Sequence, residues 1–330
     1  MEKAYFHGNN KTDADIAYAM DVGVGYFVCD NEEELLAIER EAEKRGKTQK
    51  ILIRLTPGID PHTHKAISTG SVDSKFGVAI ETGQAMAFVR TVLAQKHIDL
   101  FGFHCHIGSQ IFETEPFTDA AAIMLRFIAD ARDTLGYIAK ELNLGGGMGV
   151  RYLESHPAID YAENIAKIAA KMKELCATLS LDMPAIRMEP GRSIVADAGL
   201  TLYTVGTLKT IPGFRNYVSI DGGMPDNPRY ALYQSPYSIL LANRMHDAKD
   251  TVCTVAGRCC ESGDLIQEGV PLPKPARNDT LAVLTTGAYN YAMASNYNRL
   301  PRPAMLMLRD GQAKQILRRE SFEDLLRNEL

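Results

Sequence analysis

Two histidines stand two apart in FGFHCHIGSQ (101–110). In an extended strand alternate side chains share a face, so Phe101, Phe103 and Cys105 fall on one side and His104 and His106 on the other. Two imidazoles on one face suit a metal ion. One of them could equally stack on a flat aromatic cofactor, and the plain alternative is a pair of hydrogen-bonded core histidines. His62 and His64 repeat the spacing in a polar stretch that reads as a solvated loop. EPGR (189–192) sets the carboxylate of Glu189 and the guanidinium of Arg192 three apart around a Pro-Gly turn. Such a turn at a strand end aims both groups into a pocket, where Arg suits a planar carboxylate or a phosphate. A salt-bridged turn would use the same residues.

Three further stretches carry reactive or anion-binding groups. Gly145, Gly146 and Gly147 follow a strand-like segment directly, and their backbone N–H groups can approach an anion closely. The run is not G-x-G-x-x-G, and no acid lies at the dinucleotide position about twenty residues on. CCESGD (259–264) combines thiols, a carboxylate and a Gly turn. A thiol beside acids has its pKa raised, which suits a proton donor better than a nucleophile. GAY (287–289) places the phenol of Tyr289 after a small-residue turn, where it can bond a phosphate.

The elements that must hold these groups alternate through the first 190 residues. AYFH (4–7), GYFVCD (25–30), KILIRLTPG (50–58), DLFGFHCHIG (99–108), ELNLGGG (141–147) and AIRMEP (185–190) read as strands. Helices fall from Thr12 or Asp13 to Met20, and over 31–46, 82–95, 117–140 and 160–178. Repeated βα units imply parallel strands, in a closed barrel or an open doubly wound sheet. HGNN, HIGSQ, GGGMG and EPGR all follow strands, at the end where barrel active sites lie. After about residue 195 the pattern changes to short strands with turns, closed by SFEDLLRNEL, which predicts an antiparallel β-domain.

The chain has 330 residues, 45% hydrophobic and 23% charged, with a net charge of -5. That acidic balance argues against a nucleic-acid partner. No apolar run reaches the ~18 residues of a membrane helix, and the first twenty residues carry no secretory signal pattern. Six scattered cysteines without a CxxC pair favour reduced thiols in an intracellular, cytoplasmic setting.

Taken in order, HIGSQ, GGG, EPGR, DGGMPDNPRYALY (221–233), CCESGD and GAYNYAMASNYN (287–298) resemble the fold type III pyridoxal-phosphate decarboxylases, and within them the diaminopimelate decarboxylase branch. HGNNKT, HTH (62–64) and SKFGV (74–78) are similar to family segments too, and the resemblance covers essentially the whole chain. It implies a (β/α)8 barrel followed by a β-domain. The barrel would occupy 1–194 and the β-domain with its closing helix 195–330. It implies pyridoxal 5'-phosphate as cofactor, meso-2,6-diaminopimelate as substrate, L-lysine and CO2 as products, no metal, and a homodimer with shared sites. His106 would stack on the cofactor ring, Glu189 would pair with its pyridine nitrogen, and Ser109, Gly145–Gly147 and Tyr289 would hold its phosphate. Arg192, Arg229 and Tyr233 would hold the distal carboxylate of the substrate. Cys260, from the partner, would protonate the carbon that loses CO2, and Glu261 would contact the substrate. Arg229 and Tyr233 are four apart, and Arg192 can complete such a clamp. One departure is Tyr230, where the family usually has proline.

Two counts disagree with a complete barrel. About six strands are present where eight close a barrel, and no lysine matches the family's cofactor lysine on the first barrel strand. Lys11 lies in the loop after what would be the third strand, Lys65 in a polar loop, and Lys75 in SKFGV. The sequence thus leads to the expectation of an N-terminal segment missing before Met1, and of poor solubility or no decarboxylase activity for these 330 residues alone. Three alternatives remain: a sister decarboxylase for another diamino acid or polyamine precursor, a non-catalytic cofactor-binding relative, and a metal hydrolase built on His104 and His106.

Overall fold

The computed structural model describes residues 1–59 and 73–330, so His62, His64 and Lys65 lie outside the described residues. The chain forms two units, Met1–Gly149 with Ile159–Gly191, and Val150–Ala158 with Arg192–Leu330. The continuous span expected over 1–194 therefore differs from the structure at 150–158. Val150 and Tyr152 are buried in the core of the second unit, not the first.

In the first unit, strands β1 (Tyr5–Phe6), β2 (Tyr26–Cys29), β3 (Gln49–Thr56), β5 (Ile98–His104), β6 (Glu141–Asn143) and β7 (Ala185–Arg187) lie side by side in that order, all parallel. A short β4 (Val78–Ala79) pairs with the end of β3, inside a stretch that the sequence reads as loop. Helices α1 (Asp13–Asp21), α2 (Glu32–Lys44), α3 (Gln84–Leu93), α4 (Glu115–Leu135) and α5 (Tyr161–Thr178) connect the strands. Their starts follow from capping. Thr12 and Asp15 form a capping box, and Asn31 and Asp160 accept backbone N–H groups of the first turns of α2 and α5. Helix α4 ends earlier than the predicted 140, because Gly136 takes a left-handed φ of 67° and stops it.

The outer face of the sheet carries Phe27, Cys29, Ile51, Ile53, Phe103 and Leu142, all buried against the helices. The inner face is aromatic and charged, and the sheet curls around it as a barrel does. The Tyr5 hydroxyl donates to Glu141 on β6 at 2.8 Å, and the Arg187 guanidinium lies 4.8 Å from the Tyr5 ring. Phe101 belongs to this inner face, 5.2 Å from the Tyr26 ring, whereas Phe103 packs on Phe127 of α4. The period-2 expectation that placed Phe101 with Phe103 fails at a bulge. Ile51 pairs with Leu100 but Leu52 pairs with Gly102, so one extra residue of β5 is accommodated there.

The second unit holds a six-stranded sheet in the order β10 (Ile239–Leu241), β13 (Thr280–Leu284), β8 (Leu200–Ile211), β9 (Arg215–Ile220), β11 (Thr251–Ala256), β12 (Leu265–Leu272). It is mixed rather than wholly antiparallel, since β9 and β11 run parallel. The long connection between them, with the short helix α7 (Arg229–Tyr233), gives room for the crossover that a parallel pair requires. Strands β14 (Met305–Arg309) and β15 (Gln312–Leu317) form a separate hairpin whose turn, Asp310-Gly311, has φ of 51° and 73°. Helices α6 (Arg192–Val195) and α8 (Phe322–Leu326) complete the unit. Among the described residues no helix is long and apolar enough to cross a membrane.

Candidate active site

At the C-terminal end of the parallel strands, three side chains from three strand ends meet on the carboxylate of Glu189, at a fourth. Oε1 of Glu189 accepts from the Asn143 amide at 2.8 Å and lies 2.8 Å from Nε2 of His7; Oε2 lies 3.3 Å from Nε2 of His104. Burial alone would raise the pKa of Glu189, but the bonds from His104 and His7 outweigh it and hold the acid well below the usual carboxylate range. Burial pushes His104 and His106 the other way, each down to about 4, with the nearby Arg54 charge adding to the effect on both. Both rings are therefore neutral at pH 7. The geometry changes the metal reading of the H-x-H pair. The side chains grouped as possible ligands are His7, His104 and Glu189, within 4.8 Å of one another, and His106 is not among them.

The three glycines are dictated first by packing. A Cβ on Gly145 would lie 2.6 Å from the Cys105 carbonyl, on Gly146 2.3 Å from the Glu189 carbonyl, and on Gly147 2.5 Å from the Gly108 carbonyl. They let the chain after β6 press between the ends of β5 and β7, and the Glu189 N–H donates to the Gly145 carbonyl at 2.8 Å. Ser109 is half-buried in the neighbouring loop. Lys11 is committed elsewhere. Its ammonium donates to Gly8 O, Val28 O and Glu34 Oε1 at 2.8, 2.8 and 2.7 Å, and its side chain is 1% exposed.

The second unit gathers a different set. Arg192 donates to the Tyr152 hydroxyl at 2.6 Å, and its guanidinium lies 4.7 Å from the Tyr289 ring. Arg229 donates to Tyr237 Oη at 2.9 Å and Ser235 Oγ at 3.3 Å, and lies 5.0 Å from the Tyr152 ring. Rings of Tyr152 and Tyr237 meet edge to face at 5.4 Å. Glu189 and Arg192, three apart in EPGR, each bond groups of their own unit, Asn143 and Tyr152 among them. Tyr233 is half-buried on α7 with Arg229. Tyr230, the departure from the family pattern, sends its hydroxyl to Glu268 at 3.4 Å.

Cys260 and Glu261 are exposed on a loop held by other groups. The Cys260 N–H donates to Asn298 at 2.9 Å, and Tyr297 donates to Glu261 at 3.3 Å. Asp264 anchors the loop's base, its buried carboxylate accepting from the N–H groups of Cys259 at 2.7 Å and Met224 at 2.6 Å. Burial and the Asp264 charge push the Cys259 thiol up to about 12. The raised thiol expected in CCESGD is thus seen on Cys259.

Residues 1–196 match the family model described as the pyridoxal binding domain of pyridoxal-dependent decarboxylases. The whole chain is 45% identical to diaminopimelate decarboxylase of Bacillus subtilis (strain 168), over 329 residues that span 100% of this chain and 75% of that protein. The chain belongs to the diaminopimelate decarboxylase family. A second family relative, from Halalkalibacterium halodurans, is 46% identical over 99% of this chain and 74% of its own length. The crystal structure of the family member from M. jannaschii in complex with L-lysine superposes with a TM-score of 0.88 at 33% identity, covering 99% of this chain and 74% of that one. Pyridoxal phosphate is the family's cofactor, and the parallel sheet with a separate β-domain is the family's fold. Four residues of this family member's two clusters escape a reading by motif: His7, Asn143, Tyr152 and Tyr237. His7 carries a weak signal, since HGNN follows a strand as HIGSQ does. Tyr152 and Tyr237 carry none.

Proposed function

We propose that this chain holds the cofactor- and substrate-binding groups of a pyridoxal-phosphate-dependent decarboxylase that converts meso-2,6-diaminopimelate to L-lysine and CO2, as a cytoplasmic homodimer. The observation that carries the substrate is Arg229. It is 6% exposed, and among the described residues its hydrogen bonds and ring contacts are all to neutral groups. A buried guanidinium without a counter-charge calls for an anion from outside. A carboxylate remote from the reacting carbon supplies one, and the cationic distal groups of ornithine and arginine do not. A site built on such a pairing rejects substrates lacking the carboxylate strongly, by ~10⁴-fold in comparable buried polar sites.

The donor chemistry at the strand ends fits the cofactor. Glu189 is ionised and 30% exposed at its side chain, so it can hold a proton on a pyridine nitrogen. The neutral His106 ring can stack on a flat heterocycle. Ser109, the Gly145–Gly147 backbone and Tyr289 are assigned the phosphate. When bound, the cofactor provides an electron sink for the pair left on Cα as CO2 departs. Arg192, Arg229 and Tyr233 hold the distal carboxylate. The partner subunit's Cys260 gives its thiol proton to Cα and recovers one from solvent, while the partner subunit's Glu261 contacts the substrate. The exposure of Cys260 and Glu261, on a loop anchored by Asp264, supports their reaching a second subunit. Six free cysteines support a reducing compartment.

The test is calorimetric binding and CO2 release measured side by side for meso-diaminopimelate, L-ornithine and L-arginine, with pyridoxal phosphate added. Selective binding of meso-diaminopimelate supports the reading, and equal or tighter binding of ornithine sinks it. CO2 release by these 330 residues would separately overturn the expectation that they are inactive alone.

A further inference from the structure

The Arg192–Arg229 cluster is organised around a residue that no motif singles out. Tyr152 is 4% exposed and lies against both guanidiniums, 5.7 Å from Arg192 and 5.0 Å from Arg229, measured to its ring centre. Its backbone is pinned as well, because Ser238 donates to the Tyr152 carbonyl through both its N–H (3.1 Å) and its hydroxyl (2.9 Å). The ring meets Tyr237, which in turn accepts from Arg229. Nothing in this arrangement leaves the phenol free to swing.

The hydroxyl itself is half used. It accepts from Arg192 at 2.6 Å. A phenol that accepts one bond still has one proton to donate, and among the described residues no acceptor takes it. A buried donor without an acceptor is destabilising, so its persistence between two cations needs a reason. The anion that Arg229 calls for is such an acceptor.

We infer that Tyr152 is a specificity-determining residue whose hydroxyl, oriented by Arg192, donates its proton to the distal carboxylate of the substrate. The inference rests on the reading above, in which that carboxylate lies between Arg192 and Arg229. It adds that recognition is by a directed neutral donor as well as by charge. Two guanidiniums alone would accept any anion of fitting size. A phenol proton held in line selects a planar carboxylate oxygen at one position.

The probes are pimelate, which has the length and both carboxylates of the substrate but no amines, meso-diaminopimelate, and D-lysine, which is meso-diaminopimelate without the distal carboxylate. Binding is measured by calorimetry on the full chain with pyridoxal phosphate added. Tyr152→Phe keeps the ring and removes only the hydroxyl. It should weaken pimelate and meso-diaminopimelate about tenfold, as the loss of one charge-assisted hydrogen bond does, and change D-lysine by less than twofold. A merely structural role would weaken all three together, and that result overturns the inference. Tyr152→His restores a ring N–H donor. It should recover part of the lost pimelate affinity, and it serves as the measured variant if Tyr152→Phe does not fold. Arg229→Met separates the two levels of the argument. If the parent protein does not bind pimelate, or Arg229→Met leaves that binding unchanged, the reading of the site fails. If Arg229→Met abolishes pimelate binding while Tyr152→Phe shifts it by less than twofold, only the role of Tyr152 fails.

Discussion

The acid of the first unit and the arginines of the second are opposite kinds of charged site. Glu189 is surrounded by donors already in place: an amide and two imidazoles, from separate strand ends, bond its two oxygens. Arg229 is as polar and more deeply placed, yet among the described residues it is met only by hydroxyls and ring faces. One network is complete within the fold, and the other lacks its counter-charge. A group that must stay ionised beside a resident cofactor is best solvated by the protein itself, so nothing has to rearrange. A group that must seize a passing substrate is best left without its partner, so that binding supplies what folding did not. The stability consequences should then differ in sign.

The largest expected effect is at the complete network. Glu189→Gln replaces a carboxylate by an amide, which has one acceptor oxygen for three donors. In a form of the protein that also supplies a cofactor lysine, decarboxylation should fall by ~10³-fold or more, within the range of lost proton-holding groups. Thermal stability of the protein should also drop, by about 1–3 kcal/mol for a donor left unsatisfied. A variant that keeps its melting temperature would show that the network contributes nothing to folding.

Arg229→Met should do the reverse. Binding of meso-diaminopimelate should weaken by ~10²- to 10³-fold, the scale for truncating one partner of a buried charge pair. The melting temperature of the ligand-free protein should hold or rise, because an apolar side chain replaces a buried charge without a counter-charge. A clear loss of stability would mean that Arg229 is part of the folding core, and the contrast would collapse.

The smallest effect concerns pH. His104 and His106 are held down to about 4 by burial, while unfolded histidine titrates near 6.5. Below pH 6.5 the unfolded chain therefore gains protons that the folded chain refuses. Their contribution to stability is present above pH 6.5 and is lost progressively as pH falls toward 4. Denaturant titrations across that range should show the decline, and His104→Asn should flatten it. An unchanged slope in that variant would place the titrating groups elsewhere.

Most of the barrel-type sheet could be read in advance because its outer face obeys a simple alternation. Phe27, Cys29, Ile51 and Ile53 alternate with inward residues and bury against amphipathic helices with clear caps. Phe101 escaped, because a bulge depends on how β3 and β5 are paired, and no local pattern records that. Likewise the parallel pairing of β9 with β11 is a matter of which strands come to lie together. The site divides the same way. Glu189, His106, Arg192, Arg229 and Tyr289 sit in short motifs where residue type and spacing already suggest their chemistry. His7, Asn143, Tyr152 and Tyr237 are ordinary residues in ordinary stretches, and only the fold gives them their charged partners.

The linear chain by itself determined which groups are available: an acid after β7, glycines after β6, a thiol beside an acid, and arginines at two motifs. Those follow from covalent order and from local steric rules. Only the tertiary structure decided their partners. It brought His7 across to Glu189 over 182 residues of sequence, and Arg192 onto the hydroxyl of Tyr152. The physical reason is that charge in a protein interior is governed by distance and desolvation, and neither is written in sequence separation.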